Sequence, residues 1–160
     1  MRSMHPFSMA VFLLLACAPA QNAGDGDPAG DQPLVVEYLA TSEQQALDLP
    51  FSEAVRVGDM LILAGQIGVL PGTLTLAEGG IQAETRQTME NIKAVLERYG
   101  SSMERVVKCT VMLDDIDEWG ALNEVYREYF PVLKPARSAF GADGLALGAK
   151  VEIECWATVG

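Results

Sequence analysis

The chain predicts an α+β domain: a six-stranded mixed sheet with two helices on one face. Three observations predict it. Short runs of alternating apolar and polar residues recur between Leu34 and Val159, the period-two signature of half-buried strands. Two longer stretches, Ile81 to Tyr99 and Glu118 to Phe130, repeat apolar residues at helical spacing. The resulting order, β-β-β-α-β-α-β-β, supplies only two helices, enough to cover one face of such a sheet. The other face carries Val, Leu, Ile and Trp side chains, and a large apolar face rarely stays wet. Oligomerisation through that face is the expectation.

Each element has a local reason. Leu34 to Leu39 is a short β-rich run, and Ser52 to Val57 and Met60 to Ile67 are two more, joined at Gly58-Asp59, a dipeptide suited to a tight hairpin turn. Leu70-Pro71-Gly72 and Gly79-Gly80 bound a loop. In the first helix Thr85, Met89, Ile92, Val95-Leu96 and Tyr99 form one stripe, and Gly100 is the expected C-terminal stop. Val106 to Leu113 reads as a strand. Asp117 is the expected N-cap of the second helix, with Trp119, Leu122, Tyr126 and Tyr129-Phe130 on one face and Pro131 ending it. Arg137 to Phe140 and Lys150 to Val159 are the last strands.

The N-terminus reads differently. Residues 1–20 resemble a secretory signal: Arg2 is a sparse positive region, Phe7 to Ala16 is almost wholly apolar, and the stretch is too short to span a bilayer comfortably. Leu14-Leu15-Ala16-Cys17 matches a bacterial lipobox, which makes Cys17 the expected lipidation site of an exported, periplasmic lipoprotein. Plain cleavage after Ala18-Pro19-Ala20 is the alternative. Residues 18–33, rich in Ala, Gly, Asp and Pro, read as a flexible tether, leaving residues 34–160 as the folded domain.

Composition removes several function classes. Eleven basic residues against 22 acidic give a formal net charge of −11. Such a chain repels phosphate backbones, so a nucleic-acid partner is not expected. The one histidine is His5, which leaves the domain without Ser-His-Asp or Cys-His machinery and without an imidazole metal ligand. No metal or cofactor is expected. Cys109 and Cys155 lie in alternating apolar runs and read as small buried hydrophobes; a disulfide between them is the less favoured alternative.

Two segments carry the possible chemistry. Arg137 follows Lys134-Pro135-Ala136 at a strand start, where proline fixes the backbone entry and a guanidinium fork can pair with a carboxylate. A surface arginine in a salt bridge is the bland alternative. Glu152 and Glu154 share one side of their strand, opposite Val151, Ile153, Cys155 and Ala157. They point either into an interface or into solvent. Gly65, before Gln66, marks either a strand end where a ligand approaches the backbone or a bulge. Asn123 is a weak helix former that can bond to a neighbouring chain or simply face solvent.

Seven segments in order resemble the RidA (YjgF) family of enamine/imine deaminases. They are Pro50-Phe51-Ser52-Glu53-Ala54-Val55, Ala64-Gly65-Gln66-Ile67, Glu84-Thr85-Arg86-Gln87 with Asn91-Ile92, Val107-Lys108-Cys109-Thr110-Val111, Asn123-Glu124-Val125-Tyr126, Pro135-Ala136-Arg137-Ser138 and Val151-Glu152-Ile153-Glu154. Each is short, and it is their register along the chain that is specific. The resemblance implies a chorismate-mutase-like fold, a homotrimeric barrel with sheets inward, and three clefts between neighbours. It implies hydrolysis of 2-imino acids, formed from enamines such as 2-aminoacrylate, to 2-oxo acids and ammonia without cofactor. Carried over residue by residue, Arg137 binds the substrate carboxylate and Glu152 activates water, while Gly65, Phe51, Asn123 and Ala139 complete the binding site. Phe51 stands where the family has tyrosine and Ala64 where it has serine, so this pocket is less polar. The rival readings are a non-catalytic trimeric module that captures small carboxylates and an RNA-cleaving translation inhibitor; charge and the missing histidine weigh against the latter.

Overall fold

A computed structural model describes residues 33–160. Seven strands make one mixed sheet: β1 (Val36–Leu39), β2 (Ala54–Val57), β3 (Met60–Leu63), β4 (Gln66–Ile67), β5 (Val106–Leu113), β6 (Ala136–Gly141) and β7 (Val151–Thr158). Their order is β1-β2-β3-β7-β5-β6, with β4 also on β7. Only the β5–β6 pair is parallel. The helices are α1 (Ser42–Ala46), α2 (Gly80–Arg98) and α3 (Trp119–Tyr129).

The sheet has seven strands rather than six because the expected strand Met60 to Ile67 breaks at Ala64-Gly65. Ile62 pairs with Trp156 and Gln66 with Ile153. Between those pairs the chain spends one residue more than β7 does, which is a bulge. The Ala64 N–H turns aside to donate to the Glu53 carbonyl at 2.9 Å. Upstream, the hairpin turn at Gly58-Asp59 holds as expected, with Val57 opposite Met60 and Gly58 at φ 55°.

Alternation decides the two faces. Val151, Ile153, Cys155 and Ala157 of β7, with Leu61, Leu63, Val111 and Leu113, are fully or almost fully buried under the helices. Helix α2 closes over them with Ile81, Thr85, Met89, Ile92 and Leu96, the stripe its periodicity predicts plus its first turn. Gly100, at φ 81°, ends it. On the opposite face Tyr38, Phe140 and Trp156 remain exposed beside partly exposed Glu152 and Glu154.

Two expectations are corrected. Cys109 and Cys155 form a disulfide, their Cα atoms 4.2 Å apart. The reason is register: they sit directly opposite each other on β5 and β7, where facing side chains nearly touch, and sequence does not give that pairing. Asp117 does not cap α3. Its N–H is itself capped by the Asp115 carboxylate at 2.9 Å, and a single 3₁₀ turn, Ile116–Glu118, precedes the helix. Trp119 shares a face of α3 with Tyr126 as expected, and as the first residue of the helix it is 46% exposed. Helix α1 was invisible to periodicity because it buries nothing; a Thr41–Gln44 capping box holds it.

The expected signal, the Cys17 lipidation site and residues 18–32 of the expected tether lie outside the described residues. Among the described residues no helix is long and apolar enough to cross a membrane.

Candidate active site in two halves

The first half-site is built on the edge strand β6. Arg137 is in register with Cys109 of β5, so its side chain shares the helix-covered face. There its guanidinium carbon lies 4.6 Å from the Tyr126 ring centroid and 5.8 Å from that of Trp119, close enough for cation–π attraction to both. Trp119, Asn123 and Tyr126 are spaced i, i+4, i+7 on α3, one stripe of a helix. Asn123 therefore stands between the two rings that hold Arg137. Ala139, two residues on from Arg137 and on the same side, packs against the core.

The aromatic seat, together with an open donor fork, sets this arginine apart. In this acidic domain Arg56, Arg86, Arg98 and Lys150 are paired with Glu37, Glu128, Glu53 and Glu118. Among the described residues no carboxylate pairs with Arg137. It is half-buried on aromatic faces with its donor fork unspent. Burial pushes the Tyr126 hydroxyl up to about 12, against the opposing pull of Arg137, so that ring stays neutral beside the cation. The Tyr126 hydroxyl is also buried without a hydrogen-bond partner.

The second half-site lies around β7. Glu152 is opposite Ile67 on one side and Met112 on the other, on the uncovered face. The bulge brings Gly65 against it: a Cβ at Gly65 would lie 2.8 Å from Glu152 Cδ and 3.0 Å from Cγ. Glycine is required there because the carboxylate occupies the space of a side chain. Phe51, 58% exposed, is on the segment entering β2, which runs beside Ala64 through the Glu53 carbonyl. That segment is anchored by buried Glu53, which accepts hydrogen bonds from Arg98 at 2.5 Å and the Tyr99 hydroxyl at 2.6 Å.

The structure thus brings Arg137, Asn123 and Ala139 together, and brings Glu152 and Gly65 together, but within one chain the two groups sit on opposite faces of the sheet. A cavity of about 650 Å³ between α1, α2 and residues 69–74, lined by Glu53, Asn91 and Arg98 among others, contains neither. Among the described residues no group of three or more His, Cys, Asp or Glu is placed to hold a metal. Sequence reasoning missed the aromatic seat of Arg137. Its signal was present in the i, i+7 spacing of Trp119 and Tyr126, which reads equally as core packing.

Residues 43–159 match the family described as Endoribonuclease L-PSP. The chain belongs to this family, the RidA (YjgF) family. It is 35% identical over 123 residues to Reactive Intermediate Deaminase A, chloroplastic, of Arabidopsis thaliana, spanning 77% of this chain and 66% of the relative. It is 38% identical over 127 residues to the 2-iminobutanoate/2-iminopropanoate deaminase of Capra hircus, spanning 79% and 93%. Among solved structures, E. coli TdcF with bound serine superposes with a TM-score of 0.66 at 31% identity, covering 70% of this chain and 90% of that one. Imine deamination is the activity for which such relatives are named.

These relatives overturn the expected localisation. A RidA relative named for a compartment is chloroplastic, and the expectation of an exported, periplasmic lipoprotein with a signal peptide does not stand. Its physical basis was thin. A short apolar run beside a cysteine satisfies a lipobox by composition alone, with no packing or register to test it.

Proposed function

We propose that the protein hydrolyses reactive 2-imino acids, or the enamines that tautomerise to them, to 2-oxo acids and ammonia. The observation that carries this reading is the unspent guanidinium of Arg137, half-buried on Tyr126 and Trp119 in a domain rich in carboxylates. A planar fork held open by aromatic faces suits a small carboxylate ligand. The goat relative is named for iminobutanoate and iminopropanoate, and the E. coli relative was solved with serine, itself a small amino acid.

In this reading Arg137 pairs bidentately with the substrate carboxylate and fixes the adjacent imine carbon. A protonated imine is already a strong electrophile. Glu152 takes a proton from water as its oxygen bonds to that carbon, giving a carbinolamine, and passes that proton to nitrogen. As the C–N bond breaks and ammonia leaves, the hydroxyl gives its remaining proton to the freed Glu152 carboxylate and becomes the carbonyl. No electrons are transferred and no cofactor is needed. Asn123 and the Gly65 backbone line the bound acid, and Phe51 supplies an apolar wall.

Completing the site needs a second chain. Arg137 and Glu152 face opposite sides of one sheet, two strands apart. A homotrimer with uncovered faces inward would bury Tyr38, Trp156 and Phe140 and set one chain's Arg137 half beside its neighbour's Glu152 half. The family description as an endoribonuclease favours RNA as a second reading, but a formal charge of −11 opposes a polyanion.

The test is ammonia release from a freshly generated 2-imino acid. Arg137→Ala should lose about 30- to 1,000-fold in kcat/KM, the cost of a lost charge-assisted pair. Glu152→Gln should lose roughly 10²- to 10⁴-fold in kcat with KM little changed. Full activity in both variants would rule this site out, and a wild type that binds small carboxylates without turnover would favour the binding module.

A further inference from the structure

The reaction above leaves two buried carboxylates unused: Glu53, which is matched by Arg98 and Tyr99, and Glu84, which has no cation on it among the described residues. Glu84, on the inner side of α2, is 6% exposed and far from the Arg137 half-site in sequence and element. A buried glutamate is costly unless it is held and holds something. Its Oε2 accepts the backbone N–H of Lys150 at 2.8 Å, immediately before β7 begins. Its own helical turn presses on Gly68: a Cβ there would lie 2.8 Å from the Glu84 carbonyl oxygen and 2.9 Å from its Cα. Gly68 directly follows Ile67, the residue paired with Glu152.

Both backbone segments that flank Glu152 therefore converge on one residue. On one side is Lys150, two residues before Glu152 on the same chain segment. On the other is Gly68, one residue past its cross-strand partner. Further ties reinforce the joint. Asn91, two turns along α2, donates to the carbonyls of Ile67 and Val69 at 3.0 and 2.9 Å. The Asp114 N–H donates to the Lys150 carbonyl at 3.1 Å. Lys150 Nζ reaches Glu118 at 3.1 Å.

We propose that Glu84 is a positioning residue for Glu152: its carboxylate, by holding the Lys150 amide where its own backbone packs on Gly68, fixes the β4–β7 pairing that aims the Glu152 carboxylate past Gly65. This inference rests on the role given to Glu152 above. The mechanism is geometric, since catalytic groups must be held near productive geometry and a displacement of about 1 Å can cost on the order of 10²-fold in rate. The carboxamide of glutamine still presents an oxygen to the Lys150 N–H, whereas alanine presents none.

The experiment is a double-mutant cycle on imine hydrolysis with the full chain, using Glu84→Ala, Glu84→Gln and Glu152→Gln. Glu84→Ala should lower kcat about tenfold or more with KM within about twofold, and Glu84→Gln should recover most of that loss. In the Glu152→Gln background Glu84→Ala should cause no further fall, because there is no longer a base to aim. If Glu84→Ala does not fold, Glu84→Asp, which retracts the carboxylate by one methylene, replaces it with the same expected pattern. Additive losses in the cycle, or a glutamine variant no better than alanine, overturn the proposal and leave Glu84 a purely structural residue. An active Glu152→Gln enzyme would overturn it too, and would show that the fault lies in the role given to Glu152.

Discussion

Two inactive variants should rescue each other when they share a trimer. Arg137 faces the helices and Glu152 the uncovered side, two strands and three residues apart in register. At about 4.8 Å per strand and 3.3 Å per residue, their Cα atoms are roughly 14 Å apart, with side chains pointing away from each other. An imino acid places its carboxylate one bond from the reacting carbon, so a single chain cannot serve both ends of it. If each cleft takes its arginine from one chain and its glutamate from the next, mixing Arg137→Ala and Glu152→Gln chains in equal amounts gives a simple count. One half of the clefts receive an intact arginine, and one half of those receive an intact glutamate. About one quarter of clefts are complete, so co-refolded or co-expressed mixtures should recover about 25% of wild-type turnover. Each variant alone should stay at or below a few per cent. The assay is ammonia release across mixing ratios, with the maximum at equal amounts. A mixture no more active than the sum of its parts would refute the divided site, and a monomer by light scattering at micromolar concentration would refute the assembly behind it.

The Cys109–Cys155 disulfide closes a loop with sequence separation 46, worth about 4 kcal/mol by chain entropy; the Cys109→Ala/Cys155→Ala double variant should unfold at lower denaturant and with a steeper slope, because its unfolded chain expands. Gly65→Ala should lower kcat by about 10²-fold while sparing carboxylate binding, because its Cβ would displace the Glu152 carboxylate; competition by a 2-oxo acid measures the binding. Tyr126→Phe should stabilise the fold by about 1 kcal/mol at neutral pH, since it removes a buried hydroxyl without a partner. The Tyr126 hydroxyl is raised to about 12 by burial, whereas in the unfolded chain it ionises near its ordinary value of about 10. The wild type should therefore keep its stability below about pH 10 and lose it towards pH 12, and the phenylalanine variant should lose less, as read by denaturation at fixed pH values.

Local physics made much of the fold legible in the sequence. The α2 stripe, the Gly58-Asp59 turn and the alternation of β7 each follow from residues within a few positions of one another, and each stands where the periodicity puts it. The split at Ala64-Gly65 was half-legible: glycine announced an irregularity, but the bulge is a count against β7, almost ninety residues away in the chain. Family motifs carried Arg137 and Glu152, because those residue types recur at fixed places in the order of elements.

Tertiary structure alone decided the rest. That Cys109 faces Cys155 is a matter of antiparallel register. That Arg137 rests on Tyr126 and Trp119, without a carboxylate partner in an acidic domain, depends on α3 setting two of its rings beside one residue of β6. That Glu152 and Arg137 lie on opposite faces follows from the parity of two registers taken together, and a shift of one residue in either would reverse it. Such facts join residues distant along the chain, and no pattern within a short window encodes them. The sequence by itself determined which side chains are candidates for the chemistry; the sheet determined that Arg137 and Glu152 lie on opposite faces of one chain.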